Sequence, residues 1–408
     1  MIDPPPEEWP VSDINFEIRG RAAVIGIASC LLLFWPGASG AQGVKPTDRA
    51  EALRLCREHR EVEAFPLLEK LFKADPDDRE IKERYACTLA GISTLASEEE
   101  QTKGVLLARK LLLELKEAGP LSDLGESLLA MIPPDGKYSP TSTNKAALAA
   151  MKAGEAAFAK RDFPKARASY ELALTLDPKL YAAALFAGDS WFAQGKMDEA
   201  IPWFAKAAKI DPNQTGAFRY WGDALVKQGK MKEARDKFFM AIVAEPYYRP
   251  GWLSLGQWAK VNGVELTHPR IMPPDPKPGE ARAVSIEDGT TSLAVYDAIR
   301  DAWKDALFKV KHPKEPAYRH TLEEESAALR ATIADIAKDT AAGKIKELDA
   351  TLANLVKLDK EGLIEVYVLL ARPDDGIAKD YPAYRDKHRD KVIDYLSRYV
   401  APLPDKSK

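Results

Sequence analysis

The residue types best suited to chemistry gather around one histidine. His320 is followed by Glu323, Glu324 and Glu325, and a histidine with a carboxylate four places on shares one face of a helix. That is only part of a metal site. A catalytic zinc needs three protein ligands and an open position, and no second histidine stands at compatible spacing. Thr321-Leu322-Glu323-Glu324 has instead the order of a capping box, with acidic side chains offsetting the positive end of a helix dipole. A second charged set, Arg385, Lys387, His388, Arg389 and Lys391, is interrupted by Asp386 and Asp390. Alternating signs predict a solvated helix face rather than a basic platform for nucleic acid. No phosphate loop, dinucleotide turn, GxSxG elbow, HExxH helix or CxxC pair occurs in the sequence. No catalytic residue, metal site or cofactor is expected, and an enzyme of unknown reaction with a site in residues 292–408 is kept as the alternative.

Composition narrows the partners. The 408 residues carry 59 Lys+Arg against 62 Asp+Glu, a net charge of -3, so no global field draws the chain onto nucleic acid or anionic lipid. Near the start, Arg19 and Arg21 precede a charge-free, mostly apolar run from Ala22 to Trp35, then Pro36 and the small residues Gly37 to Ala41. This order is that of a secretory signal, with cleavage expected after Ala41. The run is shorter than the roughly 20 apolar residues of a membrane-spanning helix. Asp3, Glu7, Glu8, Asp13 and Glu17 precede it, which leaves an uncleaved anchor as the alternative; the membrane is a partner only in that case. Cys30 lies in a lipoprotein-like string, but the apolar run continues past it. Removal of residues 1–41 leaves Cys56 and Cys87, too few for a disulfide framework. Two unpaired, buried thiols are expected.

The elements that must carry these residues show a period. Segments starting at 147, 181 and 215 repeat every 34 residues without insertion. Gly154, Gly188 and Gly222 hold the eighth place; Ala166, Ala200 and Ala234 the twentieth; Ala173, Ala207 and Ala241 the twenty-seventh. Small residues let two helices cross closely. Tyr170, Phe204 and Phe238 at the twenty-fourth place supply bulk beside the crossings. Pro178, Pro212 and Pro246, each after an acidic residue, end the second helix of each unit. Gly195 and Gly229 break the chain between helices, whereas Arg161 departs from that glycine.

These places resemble those of the tetratricopeptide-repeat family. The resemblance implies an all-α fold, a right-handed superhelical solenoid of helix pairs, followed by a separate helical C-terminal unit. Residues 45–140 read as degenerate helical repeats and residues 147–261 as three regular repeats plus a capping helix. Residues 262–291, rich in proline, read as a linker or strap, and residues 292–408 as further helices. Leu293, Ile299, Trp303, Leu307 and Val310 recur at helical spacing, residues 345–358 and 382–400 suggest helices, and the apolar residues 362–371 suit helix or strand.

The resemblance also implies a binding groove on the first helices, at places five, six, nine and twelve of each repeat. These are Met151, Lys152, Glu155 and Phe158; Leu185, Phe186, Asp189 and Phe192; and Arg219, Tyr220, Asp223 and Val226. The cationic set with which family members clamp a C-terminal carboxylate is largely absent. An acidic stripe, Glu155, Asp189 and Asp223, beside aromatic anchors suits a protein or peptide carrying Lys or Arg between apolar residues. In the alternative the carboxylates are merely solvated and the aromatics pack between helices. The function expected is a non-catalytic scaffold in the periplasm, secreted, or held in the envelope by the N-terminal segment, with an envelope-anchored structural component as a further alternative.

Overall fold

The computed structural model describes residues 46–57, 60–93, 98–136, 141–273 and 283–403. The export signal, with its cleavage position, and Pro274, Pro276, Pro278 and Gly279 of the linker lie outside them. The described residues are helical with no strand, and no helix among them is long and apolar enough to cross a membrane. Two compact units form, one up to Ala234 and one from Arg235.

In the first unit, α1 (Pro46–Arg57) packs on α2 (Glu61–Ala74), and α3 (Arg79–Ser93) on α4 (Glu98–Glu117). The looser repeats thus form helix pairs, and Tyr85 stacks on Phe65 and Phe72 with centroids 5.7 and 4.9 Å apart. A short helix that the period does not foresee, α5 (Asp123–Met131), is opened by Ser122, whose hydroxyl accepts the Gly125 amide at 3.2 Å.

The regular array follows as α6 (Lys145–Ala159), α7 (Phe163–Leu176), α8 (Tyr181–Phe192), α9 (Met197–Ile210) and α10 (Thr215–Lys227), each packed on the next. A Cβ built on Gly154 would lie 2.5 Å from the Tyr170 ring, and one on Gly188 2.7 Å from the Phe204 ring. The eighth place is therefore glycine because an aromatic of the second helix lies directly on the backbone of the first. Ala166, Ala173, Ala200 and Ala207 are fully buried at the matching crossings. The acidic residue before each proline closes the helix. The Asp177 amide donates to the Ala173 carbonyl (2.9 Å) while its carboxylate accepts the Lys179 amide (3.1 Å); Asp211 does the same with Ala207 (3.0 Å) and Asn213 (2.9 Å). Gly195 and Gly229 have φ of 75° and 73°, and Arg161 takes the same left-handed turn at 59°.

The second unit begins inside α11 (Met231–Ala244) and continues with α12 (Arg249–Val261). After the described linker come α13 (Leu293–Ala302), a π turn at Trp303–Leu307, α14 (Phe308–Lys311), α15 (Leu322–Ala341), α16 (Ala350–Lys360), α17 (Ile364–Ala371), α18 (Asp375–Ala378), α19 (Tyr381–Tyr395) and a π turn at Leu396–Val400. The apolar residues 364–370 are helix, not strand. Residues 345–348 stay outside α16, which opens only where Asp349 caps the amides of Thr351 and Leu352. Leu307 and Val310, expected on the inward face, are exposed, Val310 by 73%, while Trp303 and Phe308 are buried. The π turn places an extra residue in one helical turn and rotates the face beyond it. Described linker residues lie against this unit: Ile271 is buried, Asn354 donates to the Arg270 carbonyl (3.0 Å), and His268 stacks on Tyr395 at 5.8 Å.

Candidate functional site

Helices α6, α8 and α10 present the twelve candidate groove residues, and burial sorts them sharply. Met151, Phe158, Leu185, Phe186, Asp189, Phe192, Arg219, Tyr220 and Asp223 are buried, Glu155 and Val226 are half-buried, and Lys152 is exposed. Each aromatic among them meets an aromatic of a second helix. Phe158 lies edge-on to Phe163 (5.3 Å), Phe186 to Tyr170 (5.7 Å) and Phe192 to Phe204 (6.3 Å), while Tyr220 stacks on Phe204 (5.9 Å). They serve the interior of the array. The three ninth-place carboxylates do not form one stripe, because Asp189 and Asp223 are only 1% and 5% exposed.

Burial has an electrostatic cost. The Asp223 carboxyl is pushed up to about 7, burial being the main cause, with Arg219 and Lys227 pulling it back. One of its oxygens accepts no hydrogen bond among the described residues. Arg219 donates to the Tyr220 hydroxyl (2.7 Å) and lies over that ring at 4.3 Å. Cys56 and Cys87 are unpaired, and burial raises them to about 11 and about 12, which keeps both as thiols.

Cations of the second helices stack on tryptophans, a feature that the groove reading passes over. Arg167 stacks on Trp191 at 3.6 Å and Lys206 on Trp203 at 5.0 Å. A shallow cleft of about 390 Å³ lies among Glu171, Leu174, Thr175, Trp203 and Lys206. The sequence signal was a tryptophan at a place that packing does not demand.

The histidine cluster is real but differently composed. Thr321 caps α15 by accepting the Glu324 amide at 3.1 Å. The Glu324 carboxylate, expected to turn back and complete the box, instead accepts from Arg300 Nε (2.7 Å) and the Tyr318 hydroxyl (2.8 Å). His320 meets Glu325 and also Asp374, 54 positions away, while Glu323 stays outside, paired with Lys311 at 2.9 Å. Among the described residues no group of three or more His, Cys, Asp or Glu could hold a metal ion. The basic set on α19 is only partly a solvated face. Lys387, Asp386 and Asp390 are exposed, but Arg385 is buried and donates to the Ala244 carbonyl at 2.9 Å.

Comparison with known proteins finds a repeat family in part of the chain. The tetratricopeptide-repeat model matches residues 151–215. No curated protein matches the chain. Among solved structures, the chain is similar to the TPR2AB domain of yeast Sti1 in its pHSP90 complex, at 16% identity over 52% of this chain and 96% of that one, TM-score 0.28. It is also similar to a thermophilic TPR protein of Thermus thermophilus, at 15% identity over 52% and 98%, TM-score 0.26. The first TPR of Spaghetti (RPAP3), bound to an HSP90 peptide, is 17% identical over 31% and 100%, TM-score 0.28.

Proposed function

We propose, from the premise that this chain is a tetratricopeptide-repeat protein, that it is a non-catalytic scaffold holding a protein or peptide on its helix array. The observation that carries the reading is the in-phase geometry at residues 147–214, where glycine, alanine and aromatic places are all spent on crossing helices. A sequence so constrained inside leaves its surface free to vary with a partner. The charged cluster around His320 is consistent with this reading, because its basic groups are paired with carboxylates of the same unit.

The proposed contact face is that of the first helices, through Lys152, Glu155 and Val226, with the buried candidates holding those helices in place. A partner segment with one Lys or Arg opposite Glu155 and an apolar residue opposite Val226 fits that face. Export to the periplasm or beyond, or retention by an uncleaved N-terminal segment, remains part of the proposal, motivated by the order Arg21, apolar run, small residues. N-terminal sequencing of protein from the native host tests it, and an intact Met1 end in the cytoplasm overturns it.

The binding test uses the full chain. Partners captured by the parent are compared with those captured by Glu155→Lys combined with Val226→Asp, and cross-links are mapped to helices. Loss of capture with cross-links on α6, α8 and α10 in the parent is the expected result. Unchanged capture, or cross-links confined to the second helices α7, α9 and α11, removes the first helices from the proposal.

A further inference from the structure

One imidazole in the second unit meets two carboxylates. His320 Nε2 lies 3.1 Å from Glu325 Oε2, and Nδ1 lies 2.6 Å from Asp374 Oδ2. An ionised carboxylate only accepts, so both contacts are hydrogen bonds only when both ring nitrogens carry protons. The two acids are held very differently. Glu325 is 1% exposed, and it accepts from the Tyr296 hydroxyl (2.8 Å) and Arg300 Nη1 (2.8 Å), with Arg372 Nε 3.4 Å away. The Asp374 side chain is 47% exposed. Its other oxygen accepts the amides of Gly376 and Ile377, both at 2.8 Å, and so opens α18. The chain passes so near that a Cβ on Gly376 would lie 2.4 Å from the His320 carbonyl oxygen.

We propose that His320 is a proton-operated latch: its imidazolium ties the start of α18 to the start of α15, and loss of one ring proton frees Asp374 and loosens residues 374–378. The surroundings decide which proton leaves. A neutral ring keeps one hydrogen and turns a lone pair toward the other carboxylate. Glu325 is locked in place and cannot turn away, whereas Asp374 can rotate into water. The neutral ring therefore keeps its hydrogen on Nε2.

Around the ring, burial and the guanidinium of Arg300 disfavour the charged form, Glu325 and Asp374 favour it, and the acids prevail, holding the His320 pKa above its ordinary value. Arg372 adds positive charge beside Glu325. Glu324 is engaged by Arg300 and Tyr318. Because the folded value is raised, the latch contributes fully below about pH 6.5 and is lost as pH rises through the folded value. Arg319 still binds Asp380 (2.7 Å) and the Gly376 carbonyl (2.8 Å), so the release is local.

The test follows the full chain by ring nitrogen NMR and by amide exchange at Gly376 and Ile377, corrected for the intrinsic rate, from about pH 6 to about pH 9. His320→Gln assigns the ring signal among the five histidines. The expected result is a titration midpoint above about 6.5, a neutral ring protonated on Nε2, and exchange about tenfold faster at the alkaline end. In His320→Gln the exchange profile is flat. Asp374→Asn keeps a cap but removes the charge, and it lowers the His320 midpoint by about one unit. A parent midpoint at or below about 6.5, a neutral ring protonated on Nδ1, or equal exchange profiles in parent and His320→Gln overturns the latch. Should His320→Gln fail to fold, an unchanged midpoint in Asp374→Asn overturns it instead.

Discussion

At the scale of single residues, two positions hold conformations or charges that their neighbours impose. Arg161 takes a left-handed φ of 59° where the next two repeats have Gly195 and Gly229. An L side chain there costs roughly 1–2 kcal/mol, part of which glycine returns as entropy of the unfolded chain. Arg161 also lies over the Phe163 ring at 5.6 Å, a contact worth about 0.5 kcal/mol at an exposed site. Arg161→Gly is therefore expected to stabilise the protein by about 0.5 kcal/mol, read as a higher urea midpoint at unchanged slope. Asp223 gives a pH prediction. Its folded value of about 7 lies above the ordinary carboxylate value, so the unfolded chain releases this proton first, and stability falls between about pH 4 and about pH 7. Asp223→Asn removes that slope. Relative to the parent it should gain a few kcal/mol at about pH 8 and nothing at about pH 4, at about 1.4 kcal/mol per unit of displacement. Identical pH profiles for the two proteins would show the carboxylate to be solvated.

At the scale of elements, the closeness of helix crossings separates glycines that the sequence alone treats alike. Gly188 lies under the Phe204 ring, with no space for a Cβ. Gly195 has open space around it but a left-handed φ. Gly188→Ala must push α8 away from α9 and should cost about 1–3 kcal/mol by overpacking. Gly195→Ala should cost about 1 kcal/mol through backbone strain alone. The difference also appears in aromatic near-ultraviolet dichroism, which should change for the first and not for the second. Buried Asp189 and Asp223 also change which test is informative on these helices. Reversing their charge to lysine would place ammonium groups in the interior, so lost capture would report unfolding rather than lost binding.

At the scale of the whole molecule, the second compact unit starts at Arg235 rather than at the proline-rich joint. Within that unit the Tyr381 hydroxyl donates to the Val243 carbonyl (2.7 Å), Arg385 to Ala244 (2.9 Å), Tyr247 to Leu369 (3.0 Å), and Arg235 to Ala401 (3.2 Å). Deleting residues 291–408 therefore strips partners from the end of α11 and from Tyr247. The shortened protein should lose protection of residues 235–261 in limited proteolysis, while residues 145–227 keep theirs. Equal protection of both stretches would show that α11 and α12 hold without the C-terminal helices.

The sequence by itself determined the helix pairs at residues 147–214, because small places, aromatic places and prolines recurring at one spacing admit a single helical register. It also determined the cap at Thr321 and the boundaries of α12 and α15, since those depend on side chains within a few residues of the backbone groups they satisfy. Only the tertiary structure decided what depends on distant partners. It buried Asp189 and Asp223, turned Phe186 and Tyr220 onto aromatics of second helices, and let a π turn rotate Val310 into solvent while Phe308 took the inward place. It also supplied Asp374 to His320 across 54 positions. Periodicity reports which face of a helix points inward. What that face meets is set by the folded chain, where burial and pairing of charge are settled by groups that no local spacing can name.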